Sequence, residues 1–230
     1  MLVAAGLVAR WALSPVVPAH EPRGARDWRR LGPVLRTPGV LVMSVTNAAL
    51  TVVQTGVLVF LFPLYLVTRG GLGPEAVGLL TSLGVFGRLL ALWFGGSASD
   101  RWGRLRVLIP GLLVYAALLG SVPLLTHPLA LGLSSLALGA AAGCVAALPT
   151  ALVGDRVPPP VAGLAIGWLR TMTDTGQVLG PLVMGACADA AGLSAPFLDG
   201  AALLLAAAGW CGAHASVAPA SAVTRTGGAA

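Results

Sequence analysis

The sequence predicts an all-α polytopic membrane protein with a bundle of six transmembrane helices. Three observations carry that prediction. Of the 230 residues, 57% are hydrophobic and only 10% charged, with a mean hydropathy of +0.88; a soluble domain carries about 25% charged residues. Six apolar runs, roughly 39–67, 74–98, 107–126, 128–153, 161–188 and 195–215, are each long enough to cross a hydrocarbon core of ~30 Å at ~1.5 Å per residue. The arginines collect between the runs rather than within them. All 14 basic residues are arginine, so lysine chemistry is excluded. The net charge of +6 would suggest nucleic acid in a soluble protein, but here topology explains it and no nucleic-acid partner is expected.

Residues 1–17 read as a partial transmembrane helix, interrupted by Arg10 and stopped by Pro15 and Pro18. They lack the basic start and apolar centre of a signal peptide. Residues 18–38 form a polar linker that holds Arg23, Arg26, Arg29, Arg30 and Arg36. The membrane bundle occupies 39–215, and the small residues of 216–230 read as a disordered tail.

The first run carries Asn47, Thr51 and Gln54 at spacings of four and three, which puts them on one helix face. Such a stripe either contacts a solute or hydrogen-bonds to neighbouring helices. The second run carries Arg88, twelve residues before Asp100 and so ~18 Å from the charged end, near the bilayer centre. An arginine there costs at least ~2.5–3.5 kcal/mol unless it is paired or faces water. Residues 95–106, GGSASDRWGRLR, are too charged for the bilayer and read as a short surface loop joining the second and third runs.

In the fourth run Gly139 and Gly143 lie four apart, as do Gly176 and Gly180 in the fifth; small residues at this spacing let helix backbones approach. Asp155-Arg156 and the prolines 158–160 read as a loop that directs the fifth run. In that run, Asp174 is the one acidic residue expected well inside a span. It stands four residues after Arg170, so the two either pair locally or leave Asp174 or Arg88 for proton coupling or an interhelical charge lock.

Orientation is read from the arginines. With linker and tail in the cytoplasm, eleven of the 14 fall inside and only Arg69 outside, while Arg88 and Arg170 lie within helices. Both ends of the bundle are therefore expected in the cytoplasm, and the inner membrane of a bacterium is the expected location. Cys144, Cys187 and Cys211 have neither metal-ligand nor disulfide-framework spacing and read as small packing residues. His20, His127 and His214 stand in the linker or near helix ends. No catalytic constellation, metal site or phosphate-cradling loop is visible, so neither an enzyme nor a cofactor is expected.

The stretch 95–106 closely resembles the signature cytoplasmic loop of the major facilitator superfamily of transporters: glycine, a short spacer, Asp-Arg, a variable residue, Gly-Arg, then another basic residue. Here these are Gly96, Asp100, Arg101, Gly103, Arg104 and Arg106. The glycine at 103 permits a tight turn, and Asp100 can pair with Arg104 or meet the positive end of a facing helix. Residues 166–185, with Gly167, Gly176, Gly180, Pro181 and Gly185, resemble the glycine-proline helix of drug–proton antiporters, a thin and kinked surface for helix packing.

The resemblance implies one six-helix half of a two-half transporter, itself built from two inverted three-helix repeats. The preceding stub and linker, and a fourth run without arginine, favour the C-terminal half; the N-terminal half stays open. The activity implied is secondary transport of a small organic solute or drug by alternating access, driven by protons. The partners implied are the lipid bilayer, a small-molecule substrate, protons, and a second six-helix half from a separate chain or a second copy. The other readings are a non-transporting membrane scaffold and an inactive truncated fragment.

Overall fold

The computed structural model describes residues 38–157 and 159–214, and all its regular elements are helices. The stub, most of the linker and the tail expected at 1–17, 18–38 and 216–230 lie outside the described residues.

The first span is continuous but not uniform. An α-helix, α1 (Pro38–Val52), passes into a π-helical segment (Val53–Leu61) and returns to α-helix in α2 (Phe62–Thr68). The widened turn shows directly in the N–H of Phe62, which reaches back five residues to the carbonyl of Val57. Pro63 comes next and has no N–H to offer the preceding turn, so the regular ladder is broken there in any case.

Helix α3 (Pro74–Trp102) begins after an extended Gly73 with proline at its first position, where a missing N–H costs nothing. It runs four residues past the apolar run, through Asp100 and Arg101. The stretch expected to be a loop is thus almost wholly helical. Only Gly103, at φ +91°, separates α3 from α4 (Arg104–Ser121). The backbone ladder continues through the charged stretch, with the N–H of Gly103 still closing on the carbonyl of Ser99 at 3.1 Å, while Ser97 and Ser99 return their hydroxyls to the carbonyls of Trp93 and Gly96.

A short 3₁₀ turn (Val122–Leu124) leads to α5 (Pro128–Ala146), whose first turn is capped by the N–H of Leu129 donating to His127 Nδ1 at 3.2 Å. Pro149 sits at the start of α6 (Leu148–Arg156), which completes the fourth span. Helix α7 (Pro159–Ala191) has 33 residues, and α8 (Ala195–His214) has 20.

Five helical stretches, Gly39–Thr68, Pro74–Trp102, Arg104–Leu124, Pro128–Arg156 and Ala195–His214, are long and apolar enough to cross a membrane. The fifth of the six expected spans, α7, is not among them. At ~1.5 Å per residue it is amply long. What it lacks is uniform apolarity, because Arg170, Thr171, Thr173, Asp174, Thr175 and Gln177 crowd its middle.

The contacts have an internal order. The first span packs on α7 as α3 packs on α5; α4 packs on α8; and α4 meets α5 as α8 meets α1. Exchanging the first three spans with the last three leaves this pattern unchanged, which is the signature of two three-helix repeats. The core lies where α4 and α8 meet the first span, around fully buried Tyr115, Leu112, Leu119 and Phe197. The ring of Phe197 takes edge contacts from Tyr65 and Phe62, with centroids 5.0 and 6.4 Å away.

Candidate functional site

Two glycine seams set how the helices turn toward one another. Along the first, a Cβ on Gly139 would strike the carbonyl of Gly84, and one on Gly143 the carbonyl of Arg88. Ser135 adds a hydrogen bond from its hydroxyl to the carbonyl of Leu80 at 2.6 Å. Along the second, a Cβ on Gly176 would lie 3.0 Å from Thr51 Cβ, and one on Gly180 would lie 2.8 Å from the carbonyl oxygen of Val52. Gly176 and Gly180 thus both lie close against the first span. Gly185 is looser, 4.0 Å from the Phe60 ring, and Pro181 lies half-buried in the interior of α7.

These seams bring Arg88 and Gln54 together. Arg88 stands midway along α3, with 14 residues on either side of it, and Gln54 stands near the middle of the first span. With its amide oxygen turned to the guanidinium, Gln54 accepts from both terminal nitrogens of Arg88, from Nη2 at 2.8 Å.

Two cavities, each of about 360 Å³, meet at this pair. Toward the Thr68 end of the first span, one is walled mainly by Leu58, Val59, Phe62, Val85 and Leu138, with Thr81 and Ser135 as polar points. Toward the Pro38 end, the other is lined by Asn47, Thr51, Thr55, Thr150, Arg170, Thr173 and Gln177. Gln54 and Arg88 line both. One chamber is apolar and the other polar, with a hydrogen-bonded partition between them.

The polar stripe of the first span divides its roles. Asn47 is buried and donates from Nδ2 to Thr173 Oγ1 at 2.7 Å, tying α1 to α7. Thr51 returns its hydroxyl to the carbonyl of Asn47 at 2.8 Å, and Thr55 bonds the carbonyl of Thr51 at 2.6 Å. Gln54 alone of the three predicted residues reaches a charged group. Arg170 and Asp174 pair with each other, Nε to Oδ1 at 3.2 Å, on the exposed face of α7. This is the local alternative read from their spacing, and the structure does not bring Asp174 to Arg88.

The charged junction is built from three elements rather than two. Arg104 Nε bonds Asp155 Oδ2 at 2.7 Å and lies at 3.9 Å from Asp100 Oδ1 through Nη2. Asp155, read from sequence as a loop residue, is in the last turn of α6 and supplies the closer contact. Arg101 and Arg106 are exposed and make no ion pair among the described residues; Gly96 is open. Sequence reasoning also passed over Thr173 and Gln177, although with Arg170 they repeat at three and four residues along one face of α7.

The family model of the Major Facilitator Superfamily matches residues 45–226. The chain is similar to Multidrug resistance protein MdtG of Serratia proteamaculans (strain 568), at 33% identity over 150 residues, covering 62% of this chain and 36% of that protein. It is likewise similar to MdtG of Erwinia billingiae (strain Eb661), at 32% over 128 residues (56% and 31%), and of Rahnella sp. (strain Y9602), at 33% over 149 residues (62% and 35%). The matched region thus spans about a third of the length of these curated relatives. A family match over most of the chain coincides with an all-helical bundle of repeated three-helix order and a charged Asp-Arg-Trp-Gly-Arg junction, and the chain belongs to the major facilitator superfamily.

Proposed function

We propose that this multi-pass membrane protein is the C-terminal six-helix half of a secondary transporter that exports a small organic solute or drug. The observation that carries this reading is the pair of cavities meeting at Gln54 and Arg88, halfway along their spans, where a solute must pass in an alternating-access mechanism. The exposed faces of α3 and α7 then meet a second six-helix half, from another chain or a second copy. Family membership and the relatives' designation as multidrug resistance proteins support the substrate class.

Proton coupling belongs to the same reading. Asp174 lies near the middle of α7, beside the polar chamber, and its partner Arg170 lines that chamber. Exchange of a proton at Asp174 would free Arg170 and change the charge at the chamber's rim. The arginine asymmetry supports a place for linker and tail on the cytoplasmic side of a bacterial inner membrane.

The test is dye accumulation in everted vesicles from cells that express the chain in its native gene context. Accumulation driven by an imposed pH gradient is expected for the unaltered protein. It should be lost in Asp174→Asn and reduced at least tenfold in Arg88→Met. Accumulation no greater than in vesicles without the chain would sink the proposal and favour a scaffold or an inactive fragment.

A further inference from the structure

Arg88 carries its charge into the middle of a span, and among the described residues no carboxylate lies within ion-pair distance of it. Its side-chain partner is the neutral oxygen of Gln54. A neutral acceptor satisfies hydrogen bonds without cancelling charge, so the site keeps an unanswered positive charge where desolvation makes that most costly. The other cation of the polar chamber, Arg170, is already answered by Asp174.

The surroundings say what kind of group could answer Arg88. On one side the guanidinium faces a cavity of about 360 Å³ walled by Leu58, Val59, Phe62 and Leu138, which suits a compact apolar body. A planar guanidinium takes a carboxylate, sulfonate or phosphonate through two parallel hydrogen bonds, and Gln54 now offers one oxygen to the same two nitrogens. Gln54 is the second residue of the π-helical segment, a widened turn with irregular bonding and therefore a place where a side chain can yield.

We infer that Arg88 is an anion-recognition point and Gln54 its internal stand-in ligand, displaced when a small organic anion seats its apolar body among Leu58, Val59 and Phe62. Calling that anion the substrate rests on the transporter reading; the binding itself does not. Cationic solutes are disfavoured, since among the described residues no carboxylate lines either cavity.

The test uses the full chain in lipid nanodiscs and two matched fluorescent probes, dansylglycine and its uncharged amide. Dansylglycine should bind at least tenfold more tightly than the amide. Arg88→Met should bring the two affinities together. Gln54→Glu, which keeps the size of the side chain and the bond to Arg88 but supplies an internal carboxylate, should weaken dansylglycine at least tenfold and leave the amide little changed. Equal binding of both probes to the unaltered protein would overturn the inference, as would a Gln54→Glu variant with the original preference. Preferential binding without flux in vesicles would instead remove the transporter reading and leave this site standing. Flux of neutral or cationic dyes with equal probe binding would do the reverse.

Discussion

Arg88 and Gln54 are each visible in the sequence as polar residues deep in an apolar run, but their meeting is not. They are 34 positions apart, on helices whose rotation is set by Gly84, Gly139, Gly176 and Gly180 rather than by anything near them in sequence. The Arg170–Asp174 pair is legible, because a spacing of four on one helix fixes a neighbour whatever the rest of the fold does. Asn47 shows the limit of a face argument: its stripe can be found, yet whether it meets solute or helix depends on Thr173, contributed by α7.

Another residue-scale expectation concerns Tyr115. Its ring fills the core, but its hydroxyl is buried with no hydrogen-bond partner among the described residues. An unpaired buried hydroxyl costs ~1–3 kcal/mol, so Tyr115→Phe should leave the packing intact and raise the thermal midpoint of the detergent-solubilised protein. A lowered midpoint would mean that the hydroxyl is satisfied in solution.

At the scale of elements, the glycines sort into those that set a helix pair and those that do not. Gly139→Val places two methyls where the backbone of α3 runs and should destabilise the bundle by ~1–3 kcal/mol or more, read as a lowered midpoint and poor recovery from the membrane. Gly96→Ala, in open space, should be neutral by the same measurement. Gly103 has no close neighbour, but its φ of +91° and ψ of 134° suit only glycine, so Gly103→Ala should cost ~1–3 kcal/mol through strain alone.

The junction around Gly103 also marks where sequence reading stops short. Charge density suggests a loop, whereas the backbone ladder carries α3 through Asp100 to the N–H of Gly103 and confines the turn to one residue. Asp155 is unreadable for a different reason: its partner Arg104 lies 51 positions away, at the start of another helix. Asp155→Asn should remove the closer of the two ion contacts of Arg104 while leaving Asp100 as the fallback. The pair is partly exposed, so its effect on stability should be small, within ~1 kcal/mol, and should fade with added salt.

For the whole molecule, fold class and span positions are legible because apolar runs of membrane length have few other uses in a chain with 10% charged residues. The one expected span that is not uniformly apolar, α7, lends Arg170, Thr173 and Gln177 to the polar chamber, beside the polar residues of the first span. Order among the helices is implied by the three-helix repeat of the family resemblance, and the contact pattern has that symmetry.

What the bundle leaves uncovered is equally specific. On α3, Trp93 is 80% exposed and Leu79 70%; on α7, Val178 and Leu182 are each 65% exposed, on the helix that also bears the Arg170–Asp174 pair. Apolar side chains alone could face lipid, but an ion pair and a polar chamber on the same helix call for protein or water. The second six-helix half proposed above would supply both. The native mass of the purified full chain in lipid nanodiscs, with its neighbouring reading frames co-expressed, decides the matter. Two six-helix units per particle are expected, either two copies of this 23.0 kDa chain or one copy with a second six-helix chain. A stable, monodisperse single bundle, with the exposed faces of α3 and α7 labelled throughout by a lipid-phase reagent, would show that no second half is needed and overturn the two-half reading.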